Sequence, residues 1–161
     1  MDPFATLELE VRMDLDPATL EGNYLRLSRL SHPDLLGSLP AEAQIEAMAR
    51  SARLNDAYRV LRDPWHRARA ILDLRAPGAF AGAKRLSGEF LAGMMDLAEE
   101  IATARGDAVA PLRARLRRTI DGYLQRICEQ LARGEYHAAA VSLHESNYHR
   151  KALHDLDAAS A

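Results

Sequence analysis

Cysteine is almost missing from this chain. Cys128 stands alone among 161 residues, which excludes an internal disulfide and an all-cysteine zinc site within one chain. Aromatic residues are also few, at 6%, and no stretch alternates β-branched with polar residues, so strand signals are scarce. No apolar run approaches the roughly 20 residues that a bilayer-spanning helix needs. The opening stretch, MDPFATLELE, is acidic and lacks the basic-then-apolar order of a secretory signal. Charge of one sign is lacking too. The net value of −2 gives no overall pull toward nucleic acid or an acidic membrane, leaving only local patches to exert one. These absences lead to the expectation of a cytoplasmic protein.

What is present favours helix. Hydrophobic residues make up 48% of the chain, enough for a packed core, and Ala, Leu and Arg are abundant. Asp2-Pro3 opens a short helix, with the aspartate as N-cap and the proline at the first helical position. Asp16-Pro17 repeats that start and predicts a helix running up to Pro33. Leu20, Tyr24, Leu27 and Ser31 share one of its faces, and Arg26 and Arg29 lie on another. A long helix begins at Pro40 and is expected to carry Ile45, Met48, Ala52 and Leu61 inward. Asp63-Pro64 ends it and starts a shorter helix through WHRARAILDL.

The stretch RAPGAFAGAKRLSG, rich in Gly, Ala and Pro, is the strongest boundary signal. Three helices are predicted beyond it. The first spans about 87 to 104, capped by Ser87 and stopped by Gly106. The second spans about 107 to 133, capped by Asp107 and stopped by Gly134, and the third spans about 135 to 156. Connections this short make the helices antiparallel neighbours, hence a three-helix bundle. The expected organisation is all-α, with a first domain at 1–75, a linker at 76–83 and the bundle at 84–157.

Where the second helix is expected to stop lies LRLSRLSHPDLLGS, with His32-Pro33-Asp34 in its middle. Read alone, the tripeptide admits an acid-base pair, a metal corner, a turn, or a contact for another protein. An acid-base pair needs a substrate pocket or nucleophile arranged around it, which a surface loop does not supply. The other histidines, His66, His137, His144, His149 and His154, form no i,i+4 pair and no His-Glu-x-x-His pattern, so no metal site is expected. A turn in which Pro33 stops one helix and Asp34 caps the next segment is the plain structural reading.

The combination of a helix bearing Tyr24, Arg26, Leu27 and Arg29, then His-Pro-Asp, then a long helix ending LNDAYRVLRDP, resembles a J-domain. J-domains are the modules through which co-chaperones engage DnaK-class ATPase chaperones. The string DPWHRARAILDL, with GEFLAGMMDLAEEI and a helical bundle after it, extends the resemblance over nearly the whole chain to the HscB-type co-chaperones of iron-sulfur cluster assembly. The resemblance implies that His32, Pro33 and Asp34 form the ATPase-stimulating loop, with Arg26 and Arg29 in the basic docking face. It implies an HscA- or DnaK-type chaperone and an IscU-type scaffold as partners, with no resident cofactor, no metal and no catalysis by the chain itself. Ser31 stands where an aromatic is usual and Leu35 where lysine is usual, while Leu25 and Leu30 occupy positions where basic residues are common. The positive face is thin, which predicts a weaker or more salt-tolerant contact.

The helix at 87 to 104 carries two apolar stripes. Phe90, Met94, Leu97 and Ile101 form the first, enough to bury the helix in its bundle. Leu91 and Met95 form the second, flanked by Asp96 and Glu99. Either a wide core face takes them in, or they make an exposed apolar patch with an acidic rim, suited to a protein partner. The resemblance places Leu91, Met95, Asp96 and Glu99, with Tyr148 on the last helix, in the surface that binds the scaffold. Ala92 and Gly93 are smaller there than in the family pattern. The basic run RARLRR at 113 to 118 reads as a solvated face paired with carboxylates, with Leu112 and Leu116 inward. A general J-protein serving other clients shares the first half of this reading. An enzyme using His32 and Asp34 is the rival from a different class.

Overall fold

The computed structural model describes residues 2–30 and 40–159, and the chain divides into two compact units, 1–74 and 75–161. All regular structure among the described residues is helical.

The first unit begins with α1 (Pro3–Thr6), whose N-cap Asp2 accepts hydrogen bonds from the backbone N–H of Phe4 and Ala5. Phe4 and Leu7 are completely buried, so this one-turn helix is held by its apolar residues rather than by length. α2 (Pro17–Arg29) has Asp16 as N-cap, accepting from the Thr19 N–H and hydroxyl, which together hold its carboxyl below the usual carboxylate range. α2 and α1 both pack on α3 (Ala41–Arg62). Leu20 and Leu27 are buried; Tyr24 stacks on Tyr58 at 4.3 Å, and its hydroxyl donates to Asn55 Oδ1 at 2.7 Å. Asn23 fixes the α1 end by donating to the Leu7 carbonyl at 2.9 Å. Asp63 ends α3 and caps α4 (Pro64–Arg75) by accepting from the N–H groups of Trp65 and His66.

α3 departs from the sequence expectation. Ile45 and Met48 are 67% and 68% exposed and Ala52 is also exposed, whereas Leu54, Ala57 and Leu61 are buried. The inward phase instead passes through Ala43, Ala47, Ser51, Leu54, Tyr58 and Leu61, none of them exposed. Small residues occupy the N-terminal half of that stripe, so the larger Ile45 and Met48 drew the phase to the wrong side.

In the second unit, the segment expected to be a linker carries α5 (Ala79–Gly82) and packs on α8 (Tyr136–Ala159). Phe80 stacks on His144 with ring centroids 3.8 Å apart, and His144 Nε2 donates to the Phe80 carbonyl at 2.7 Å. Ala83 is buried. The small residues that suggested a loose connection permit this close approach instead. α6 (Gly88–Thr103) starts at Ser87, whose Oγ accepts from the Phe90 N–H at 3.1 Å. A 3-10 turn at Gly106–Ala108 precedes α7 (Val109–Ala132). Asp107 therefore does not cap α7, which begins without a side-chain cap. Pro111, lacking an N–H, fits only the first turn and sets the start just ahead of itself.

α7 and α8 (Tyr136–Ala159) join through Gly134, at φ +74. Its N–H donates to the Leu131 carbonyl and the Glu135 N–H to the Gln130 carbonyl, the paired pattern of a glycine-terminated helix. Leu97 and Ile101 of α6, Leu112 and Leu116 of α7, and Leu156 of α8 form one buried cluster. In the basic run, Arg113 pairs with Asp157 at 2.6 Å and Arg115 with Glu100, as expected of a solvated, paired face.

Candidate functional site

α6 presents its two stripes to different surroundings. Leu97 and Ile101 are buried and Met94 packs against their cluster, so the first stripe anchors the helix. Leu91 is 39% exposed and Met95 is 74% exposed, so the core leaves the second stripe in solvent. The four-residue spacing of Leu91, Met95 and Glu99 puts them in one row along the helix, with Asp96 beside Met95. Asp96 and Glu99 are exposed and make no ion pair among the described residues, whereas neighbouring Glu100 is tied to Arg115. An apolar strip with two uncommitted carboxylates results.

Tyr148 of α8 is 46% exposed and reaches this row through Phe90. The two rings meet edge to face, 5.7 Å apart at 85°. Phe90, assigned to the inward stripe by its spacing, is half-buried and also meets the His149 ring at 5.8 Å and 78°. On its other side His149 lies 5.2 Å from the Tyr123 ring. Burial lowers the His149 pKa below its ordinary value and raises that of Tyr123 to about 12, with the Glu145 carboxylate adding to the latter. Periodicity brought out Leu91, Met95, Asp96 and Glu99, and the family resemblance brought out Tyr148, but neither revealed the contact of Phe90 with His149. Their roles depend on which residues of α6 and α8 meet, and the only advance signal was the adjacency of Tyr148 and His149.

In the first unit, Arg26 and Arg29 are both exposed on the last turn of α2. Arg26 is engaged by Glu8, which sits in a left-handed backbone conformation at φ 55. Both partners are about half exposed, so this pair is weakly held. His32, Pro33 and Asp34 lie outside the described residues, as do Ser31 and Leu35. No group of three or more His, Cys, Asp or Glu gathers as for a metal among the described residues, and no helix there is long and apolar enough to cross a membrane. A groove of 460 Å³ lies beside α4, lined by Pro3, His66, Arg69 and Leu74 among others, and none of the residues of either face described above borders it.

Residues 86–157 match the family model described as the HSCB C-terminal oligomerisation domain. The chain is 33% identical over 166 residues to the "Co-chaperone protein HscB homolog" of Bordetella pertussis, covering 98% of this chain and 95% of that one. A relative of the same description from Vibrio cholerae is 29% identical with the same coverage of both. Among solved structures, "Chaperone HscB from Vibrio cholerae" superposes with a TM-score of 0.83 at 27% identity, covering 99% of this chain and 97% of that one. Human co-chaperone protein HscB superposes with a TM-score of 0.84 over 99% of this chain and 82% of that one; at 20% identity that likeness speaks for the fold.

Proposed function

Because this chain belongs to the HscB co-chaperone family, with its J-like domain ahead of a helical domain, we propose that it delivers an IscU-type iron-sulfur scaffold to an HscA- or DnaK-type chaperone. The first domain, about 1–75, stimulates ATP hydrolysis by the chaperone through His32, Pro33 and Asp34, with Arg26 and Arg29 as part of the docking face. The second, about 84–157, holds the scaffold at Leu91, Met95, Asp96, Glu99 and Tyr148. The protein works in the cytoplasm and breaks no bond itself. One polypeptide contacting both partners raises their effective concentration and makes hydrolysis depend on client delivery.

The observation that carries the reading is the strip on α6, in which Leu91 and Met95 remain exposed beside a well-filled core, while Tyr148 of α8 meets Phe90, the residue before Leu91. A contiguous apolar strip with an acidic rim is a protein-recognition surface, and Met suits an adaptable contact. In the first unit, the exposed Arg26–Glu8 pair is weak enough for Arg26 to exchange Glu8 for an acidic group on the chaperone.

Two measurements on the full chain test the halves separately. Asp34→Asn is expected to abolish stimulation of the chaperone ATPase while scaffold binding by calorimetry stays intact. Stimulation retained by that variant sinks the J-domain assignment. Scaffold titration also separates this reading from a general J-protein, which stimulates the ATPase without binding the scaffold.

A further inference from the structure

Tyr148 and His149 are neighbours on α8 and turn to different surroundings. Tyr148 faces solvent, whereas the His149 ring is half-buried between Phe90 and Tyr123. Phe90 touches both α8 rings edge-on, at 5.7 Å and 5.8 Å, so its position depends on each of them. The chain of contacts runs from Tyr123 through His149 and Phe90 to Tyr148, out of the bundle and onto its surface.

His149 Nδ1 is buried and has no hydrogen-bond partner among the described residues. A neutral imidazole needs only one donor, but an imidazolium carries N–H on both nitrogens. Protonation therefore leaves a charged ring with a buried N–H that has no acceptor, a costly arrangement. The groups around it do little to offset this. α6 meets the ring with uncharged Phe90, and α7 meets it with Tyr123, whose own ring already lies under the Arg126 guanidinium at 5.1 Å. Glu145, one turn back on α8, is engaged at the Tyr123 hydroxyl. Burial already holds the His149 pKa below 6.5, the same direction as the geometry.

We infer that His149 is a positioning residue of the scaffold-docking face: its uncharged ring seats Phe90, Phe90 seats Tyr148, and protonation of His149 unseats both and weakens scaffold docking. This rests on the reading of Leu91, Met95 and Tyr148 as that face. His149 touches no partner itself and acts through Phe90.

The test compares the full-length wild type with His149→Phe, which keeps a flat ring that cannot titrate, and His149→Ala, which removes the seat. Each is titrated with a cluster-free IscU-type scaffold between pH 7.5 and 5.5. Dividing the wild-type Kd by the His149→Phe Kd at each pH removes any titration that belongs to the scaffold. That ratio is expected to stay near one at pH 7.5 and to rise at pH 5.5 as the competent fraction falls, by less than the roughly tenfold that an imidazole of ordinary pKa would give there. His149→Ala is expected to bind more weakly at every pH. In the wild type without scaffold, the Phe90 and Tyr148 ring resonances are expected to shift together with the His149 titration. A ratio that does not change with pH, or ring signals that ignore the titration, overturns the inference. Wild type that fails to bind scaffold even at pH 7.5 overturns the scaffold reading itself, a result distinct from a flat ratio.

Discussion

Truncating Met95 separates docking from folding, because the two effects have very different sizes at this position. Fully burying a side chain the size of Leu or Met contributes about 1.5–3 kcal/mol. With 74% of its surface still exposed, Met95 has about 1–2 kcal/mol left to gain at an interface, and Leu91, at 39%, about 0.6–1.2 kcal/mol. Alanine keeps the Cβ, so the lower part of each range applies. Met95→Ala is then expected to weaken scaffold binding about 5- to 10-fold, and the Leu91→Ala, Met95→Ala double variant about 20- to 50-fold. The stability effect of Met95→Ala is expected to lie within about 0.5 kcal/mol, since an exposed helical Met gives way to a better helix former. Leu97→Ala, two positions along but only 9% exposed, is the contrasting case, with an expected loss of about 2–5 kcal/mol in stability. Isothermal titration calorimetry with the scaffold reports the first effect, and urea denaturation monitored by circular dichroism reports the second. Unchanged scaffold affinity in the double variant refutes the docking role of this strip. A large loss of stability in Met95→Ala refutes its description as exposed.

Three further outcomes are expected. Gly134→Ala is expected to destabilise the second unit by about 1–2 kcal/mol, seen as a lower Tm, because φ +74 is strained for any L side chain; no atom lies within 4 Å of the added Cβ, so a steric clash contributes nothing. The pKa of His149 is lowered in the folded chain, so below 6.5 the unfolded chain binds the additional proton first and stability falls with pH. That loss develops between 6.5 and the lower folded value, and His149→Phe is expected to lack it in urea titrations at pH 7.5 and 5.5. Raising salt from 50 to 300 mM is expected to weaken ATPase stimulation only modestly, since Leu25 and Leu30 thin the charged face around Arg26 and Arg29.

Local signals carried most of the fold. Asp2, Asp16, Asp63 and Ser87 each cap the helix their sequence context predicts, because capping involves only the next two or three residues. The Leu97–Ile101 stripe was equally legible, since large apolar residues at helical spacing leave one face to bury. α3 was not, because its inward phase runs through Ala43, Ala47 and Ser51 and only the packing against α2 distinguishes it from the phase of Ile45 and Met48. The segment around Phe80 read as a linker for a related reason: its hold on α8 comes from a single cross-helix partner, His144. At the candidate site the exposed row on α6 can be read from periodicity, but the Phe90–His149 seat depends on the register between α6 and α8, which periodicity does not contain.

Whether one polypeptide must couple scaffold to chaperone is decided by complementation in trans. Asp34→Asn leaves Leu91 and Met95 in place, and the Leu91→Ala, Met95→Ala variant leaves His32, Pro33 and Asp34 in place. The measurement is steady-state ATP hydrolysis by the chaperone with scaffold present, for wild type and for an equimolar mixture of the two variants. Scaffold is expected to boost hydrolysis with wild type, and the mixture is expected to show only the scaffold-independent rate. A mixture that restores the full scaffold-dependent rate contradicts the claim that both contacts must reside in the same chain.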